Sequence, residues 1–298
     1  MNDKTFRQRL LAGIPIAERK LTLAGVSTLV LEGGEGPPMV LLHGPGEYAA
    51  KWLRVLPLLL ESYRVIAPDL PGHGASEVTG GPLDPDRVFA WLDGVIGHTC
   101  ETAPLLVGQT MAGAIAARFT ADHGDRVGSL VLADALGLVP FEPAPEFGRA
   151  LAAFLERPTA ETSEELWRRC LFDLDRLRDG LGKRWEALEA YNLDRAQSAS
   201  AQAALHILMQ EFGFPALAPA TLERIAVPTT LIWGRQDLAT SLAVAQAASA
   251  RYGWPLEVID DAADDPSLDQ PERFVDGLAR HGARLREWQP TSTSPSPR

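Results

Sequence analysis

The feature that most narrows the folds open to this chain is a rhythm. Short apolar runs of strand length, each closed by turn residues, alternate with longer stretches whose apolar positions recur at helical spacing. The first two runs, residues 19–23 and 27–31, are joined by Ala24-Gly25 and predict a hairpin. Further strands are predicted at 39–42, 63–67, 105–107, 129–132, 229–233 and 256–259. Between them, 48–60, 84–98 and 111–119 read as helices; Val88, Trp91, Leu92 and Val95 mark the buried face of the second. Strands that alternate with helices and are apolar on both sides predict an α/β fold with a mostly parallel, doubly wound sheet.

One stretch breaks the rhythm. From 139 to 225 only helical patterns occur. Thr162-Ser163-Glu164-Glu165 reads as a capping box. Trp167, Cys170, Leu171, Leu174 and Leu177 follow at helical spacing, with Gly180 as a stop. Residues 184–191 and 201–212 continue the pattern. An all-helical insertion in such a sheet predicts a cap over the strand ends, where open α/β sheets bind ligands. The expected organisation is a core of 1–138 and 226–289, a helical cap of 139–225 and a Pro/Ser/Thr-rich disordered tail of 290–298.

Composition removes several classes of function. The 298 residues carry a formal net charge of -11, which repels nucleic-acid backbones and anionic lipid surfaces. No apolar run approaches the ~20 residues of a membrane span. The first twenty residues lack the pattern of a secretory signal. Cys100 and Cys170 show neither CxxC nor zinc spacing. These features predict a cytoplasmic protein whose partner is a small molecule. The glycine-rich segments match neither a dinucleotide nor a P-loop fingerprint, so no cofactor and no metal are expected.

Five motifs in order resemble the α/β-hydrolase superfamily over residues 15–285. HGPGEYAAKW from His43 resembles its oxyanion loop, and PDLPGHGAS from Pro68 its next conserved turn. LLVGQTMAG from Leu105 resembles its nucleophile elbow. LIWGRQD from Leu231 is similar to the segment that delivers the acid, and DDAADDPSLDQPERF from Asp260 to the loop that delivers the histidine. The resemblance implies a hydrolase fold with a cap, and it assigns roles that this chain fills in a different way. The nucleophile position of Gly-x-Ser-x-Gly falls on Thr110, flanked by Gln109 and Met111. The imidazole position falls on Asp264, and a carboxylate of ordinary pKa is a poor base for a hydroxyl. Asp237 matches the acid, and Asp134 stands where some relatives keep theirs. One oxyanion donor follows His-Gly and is Pro45, which has no N–H; a shift by one residue places Gly46 there. The other donor is the Met111 backbone N–H.

Of the other candidates, Glu47 and Tyr48 follow the oxyanion loop at the expected mouth. His206 lies in an apolar cap run and is a candidate base. His43 and His73 read as structural residues in turns, and His98, His123 and His281 as helix-end or surface residues. Three functions remain open. In the first, Asp237 and Asp264 face one space, one carboxyl is held protonated, and the chain is a non-hydrolytic isomerase, lyase or cyclase for a small apolar substrate. In the second, it is an atypical ester or epoxide hydrolase using Thr110, with His206 as base or Asp264 assisting water. In the third, it binds a ligand or protein without catalysis.

Overall fold

The computed structural model describes residues 3–287. The predicted tail 290–298 lies outside the described residues. Nine strands form one sheet: β1 (Ala17–Leu23), β2 (Val26–Gly33), β3 (Pro38–Leu42), β4 (Arg64–Pro68), β5 (Glu77–Val78), β6 (Leu105–Gln109), β7 (Ser129–Ala133), β8 (Thr229–Gly234) and β9 (Leu256–Ile259). Their order is β1-β2-β4-β3-β6-β7-β8-β9, with β5 paired to β2. The pairs made by β2 are antiparallel, and every pair from β4–β3 to β8–β9 is parallel. The expected α/β architecture holds.

Side-chain alternation explains why these strands are apolar throughout. Val40 and Leu42 of β3, with Leu130 and Leu132 of β7, enter the core on one face. Met39 and Leu41, with Val131 and Ala133, enter the core on the other. A strand buried on both faces needs no polar alternation. Between β7 and β8 the regular elements are all helical. The cap joins both cores: Leu208, Met209 and Phe212 pack into the first, and Trp167, Trp185, Leu188 and Tyr191 into the second.

Several local expectations are corrected. The segment predicted as one helix over 48–60 is a 3-10 helix Ala49–Arg54 and a short α-helix Leu56–Leu59. Pro57 has no N–H to continue the first ladder but fits the first turn of the second. The capping box is formed by Thr159 and Thr162, so Thr162 is the third helical residue rather than the cap. The helical run through Leu177 breaks after Cys170, where Asp173 caps a new helix by accepting Arg176 N–H at 2.9 Å. That helix passes Gly180 and stops at Gly182, whose φ is +51°. A helix Asp3–Leu10 escaped the sequence reading; its Phe6 stacks on Tyr191 at 5.4 Å.

Candidate active site

Neighbouring parallel strands set the site out in a row. β3 ends at the Gly44–Glu47 turn, β6 at Thr110, β7 at Asp134, β8 at the Asp237 loop and β9 at the Asp264 loop. β3 lies between β4 and β6, so the sheet reverses its winding there, and a crevice opens beyond the strand ends.

Thr110 sits at a strained elbow. Its φ of 47° and ψ of -116° lie outside the regions a β-branched residue normally adopts, at a cost of about 1–3 kcal/mol. The surroundings hold it there: Thr110 N–H donates to Ala133 O at 2.9 Å, and its carbonyl accepts from Leu136 N–H at 3.0 Å. Gly108 permits the close crossing of strand and helix, because a Cβ there would stand 2.5 Å from Ala112 O. The bend presents Thr110 Oγ1 to the crevice. The oxygen is buried and has no hydrogen-bond partner among the described residues. Met111 opens the helix Met111–Asp122, so its N–H faces no intrahelical carbonyl.

The oxyanion loop is a tight turn. Glu47 N–H donates to Gly44 O at 3.4 Å, and Gly46 takes the positive φ (+71°) that the turn requires. Pro45 and Gly46 both line the cavity, and a Cβ on Gly46 would meet only Leu205 Cδ2, at 3.6 Å. His43 locks the loop: its Nδ1 lies 2.8 Å from Gly44 O, and its Nε2 accepts Leu70 N–H at 3.0 Å. This requires the neutral tautomer with the proton on Nδ1, and burial, then His73, pushes its pKa well below the ordinary range. Asp69 accepts Ala49 N–H and Ala75 N–H, each at 2.7 Å, and ties the loop to the turn after β4.

The two residues after the turn diverge. Glu47 lines the cavity, accepts Gly44 N–H at 2.9 Å and is paired with Lys51. Tyr48 does not join the lining, contrary to expectation. It is buried against Tyr191, with ring centroids 4.2 Å apart, because the 3-10 helix that begins at Ala49 turns it into the core.

Three carboxyls stand at the ends of β7, β8 and the β9 loop. Asp237 Oδ1 accepts Ala239 N–H at 2.7 Å and Thr240 N–H at 2.8 Å. Burial nonetheless raises its pKa to about 7. Asp134 accepts Gly234 N–H at 2.8 Å; burial, then the Asp237 charge, pushes it well above the carboxylate range. Burial, then Asp237 and Asp265, do the same to Asp264. Asp264 lines the cavity, Asp237 does not, and Asp264 Oδ1 has no hydrogen-bond partner among the described residues. Gln109 Nε2 donates to Asp264 O at 3.4 Å and spans the elbow and the last loop.

The cavity under the cap has a volume of about 400 Å³. Its walls are mainly apolar, with Phe141, Phe147, Phe154, Trp167 and Met209 among them. His206 lines it as an exposed residue, at the rim rather than beside Thr110 in the buried floor. His281, expected at the surface, is buried and lies 2.8 Å from Thr230 Oγ1, far along the chain from the elbow. Sequence reasoning missed Lys51 and Asp265. Lys51 Nζ pairs with Glu47 and lies 3.0 Å from Asp265 Oδ2 and 4.8 Å from the Trp167 ring centre. The i,i+4 spacing of Glu47 and Lys51 was a readable signal; the approach of Asp265 was not. No group of side chains able to hold a metal ion occurs among the described residues, and none of their helices is long and apolar enough to cross a membrane.

Comparison with known proteins adds three findings. The sequence pattern of the Alpha/beta hydrolase family matches residues 39–277. The chain is 27% identical over 263 residues to 2-hydroxy-6-oxo-6-(2'-aminophenyl)hexa-2,4-dienoic acid hydrolase of Metapseudomonas resinovorans, covering 82% of this chain and 81% of that one. It is 29% identical over 217 residues to 2-hydroxy-6-oxo-6-phenylhexa-2,4-dienoate hydrolase of Comamonas testosteroni, covering 69% and 73%. Among solved structures, a hydrolase of the latter name from Rhodococcus sp. strain RHA1 superimposes with a TM-score of 0.76 at 24% identity, over 90% of this chain and 99% of that one. These relatives overturn the expectation of a non-hydrolytic isomerase, lyase or cyclase.

Proposed function

Because the chain belongs to the α/β hydrolase family, we propose that it hydrolyses a small carbonyl compound, with Thr110 in the nucleophile's place and Asp264 in the imidazole's. The observation that carries this is the Thr110 hydroxyl itself: buried, without a hydrogen-bond partner among the described residues, held in a strained bend and open to the cavity. Strain of this kind persists only where the surroundings impose it, and here it aims an oxygen at the substrate space.

Thr110 Oγ attacks the carbonyl carbon, and the carbonyl electron pair moves to oxygen. Met111 N–H and Gly46 N–H are the donors for that oxyanion. The Met111 group starts a helix, and the Gly46 group belongs to the turn at the cavity wall. Collapse expels the leaving group and leaves an acyl-Thr110 ester, which water then cleaves. The apolar walls accept an aryl or alkyl arm of the substrate. The relatives named above act on 6-oxo-dienoates, and an ester or a ketone of that kind presents the same electrophilic carbon.

Activated esters with short and aryl acyl groups, assayed beside a 6-aryl-6-oxo-dienoate, test the reading. Turnover of either class, abolished in Thr110→Ala, is the expected result. Turnover that survives Thr110→Ala at the wild-type rate removes the hydroxyl from the reaction.

A further inference from the structure

The proposed hydrolase reading leaves the Thr110 proton without a destination, and this inference rests on that reading. A histidine is the usual acceptor in such sites, and Asp264 fills its place here. Yet Thr110 Oγ1 and Asp264 Oδ1 each lack a hydrogen-bond partner among the described residues, so they are not bonded to one another.

A second carboxylate, Glu47, flanks the same glycine as the hydroxyl. A Cβ added to Gly44 would lie 2.7 Å from Thr110 Oγ1 and 3.0 Å from Glu47 Oε2. The two oxygens therefore flank the same face of Gly44. Their separation is shorter than those distances laid end to end, a span that a single water bridges. Glu47 is fixed in position: Oε2 accepts Gly44 N–H at 2.9 Å, and Oε1 is held by Lys51. Lys51 also lies 3.0 Å from Asp265 Oδ2, which anchors the cation from the opposite loop. We propose that Glu47 is the general base of this site, taking the Thr110 proton through one water.

The protonation states agree with the geometry. Burial raises Glu47 above the ordinary carboxylate range, and Lys51 opposes that rise. Glu47 thus holds a proton more tightly than an exposed glutamate does, while Lys51 limits the rise. Asp264 is pushed well above the ordinary carboxylate range by burial, then by Asp237 and Asp265, with Lys51 opposing and Glu47 adding to the rise. Asp265, Asp264, Lys51 and the buried Cys170 thiol are the titratable groups that share this field.

In the first half-reaction the Thr110 O–H bond breaks, the Oγ–carbon bond forms and the proton passes by way of water to Glu47. Glu47 returns it to the leaving group as the bond to that group breaks. In the second half, Glu47 accepts a proton from the attacking water, and Thr110 Oγ leaves and regains it. Water is the only co-reactant.

The test measures kcat, KM and the pH profile for an activated ester in Glu47→Gln, which keeps an acceptor for Gly44 N–H but cannot take the proton. We expect kcat to fall at least 100-fold, KM to stay within threefold, and the acidic limb of the kcat/KM profile to disappear. In Glu47→Ala, added formate is expected to restore part of the rate. A Glu47→Gln enzyme within threefold of wild type, or one that keeps the acidic limb, overturns the proposal; loss of that limb in Asp264→Asn instead assigns the base to Asp264. Should Glu47→Gln fail to fold, Glu47→Asp must show a displaced acidic limb, and an unmoved one is equally fatal. Full activity in Thr110→Ala counts against the underlying hydrolase reading and leaves this assignment without a proton to accept, a result distinct from all of these.

Discussion

The two sides of Thr110 surround their buried carboxyls with different partners. On the β3 side, Glu47 and Asp265 share the Lys51 ammonium. Burial pulls the Lys51 pKa down, but the two carboxylates outweigh it and the net shift is upward. On the other side burial, then the Asp237 charge, raises Asp134 and Asp264, and burial raises Asp237 against its hydrogen bonds to Thr240, Ala239 and Asp134. The rise that burial imposes on a carboxyl is thus opposed where a cation is bonded to it, as at Glu47, and reinforced where a like charge stands beside it, as at Asp134. The proposed hydrolysis at Thr110 needs a proton acceptor, and the proposed one, Glu47, stands on the cation-bearing side.

The comparison can be broken most forcefully at Lys51. Lys51→Met leaves Glu47 and Asp265 buried without their cation, and is expected to cost about 3–5 kcal/mol in urea unfolding at neutral pH. A loss below about 1 kcal/mol shows that the cluster is solvated and that the contrast is false. Because Lys51 also lies over the Trp167 ring of the cap, the same variant is expected to speed proteolysis within 139–225.

The cationless side makes a prediction about pH. Asp237 holds its proton to about pH 7 when folded, against an ordinary 3.8, and Asp134 and Asp264 are shifted in the same direction. Above pH 4 the folded chain therefore keeps carboxyl protons that the unfolded chain has lost, and stability falls as pH rises through the folded values. Buried histidines act in the opposite sense: His73 and His281, each lowered by burial to about 4 from 6.5, add stability as pH rises to 6.5 and nothing beyond. Once the histidines add nothing more, from about pH 6.5, thermal stability is expected to fall further as pH rises through the folded value of Asp237, about 7, at up to about 1.4 kcal/mol per pH unit for each proton released. Asp264→Asn should flatten that slope; a slope unchanged in Asp264→Asn refutes the assignment of Asp264 as a buried neutral acid.

The smallest effect concerns the elbow between the two sides. Thr110→Ser keeps the hydroxyl and removes the branched Cβ from a left-handed bend, so it is expected to gain up to about 1 kcal/mol while retaining ester turnover. Destabilisation instead assigns the Thr110 methyl a packing role.

Much of this was legible from the chain. The strands at 39–42, 105–107 and 129–132 were readable because burial on both faces leaves only apolar residues, and the elbow because Gly108 is needed for the close crossing. The single helix expected over 48–60 was misplaced because Pro57 acts on hydrogen bonding, which periodicity does not register. His281 was misjudged because its partner Thr230 lies fifty-one positions away on β8. Tyr48 was misassigned because it is an extended residue ahead of the 3-10 helix rather than the first residue of the α-helix that the pattern suggested.

The chain by itself determined the sheet and the helical insertion, since these follow from local periodicity and motif order. Only the tertiary structure decided which carboxyl meets a cation. Lys51, Glu47 and Asp265 come from two loops more than two hundred residues apart, brought together by strand order. Charge state in a buried site depends on distance and solvent exclusion, and neither is written in any short stretch of sequence.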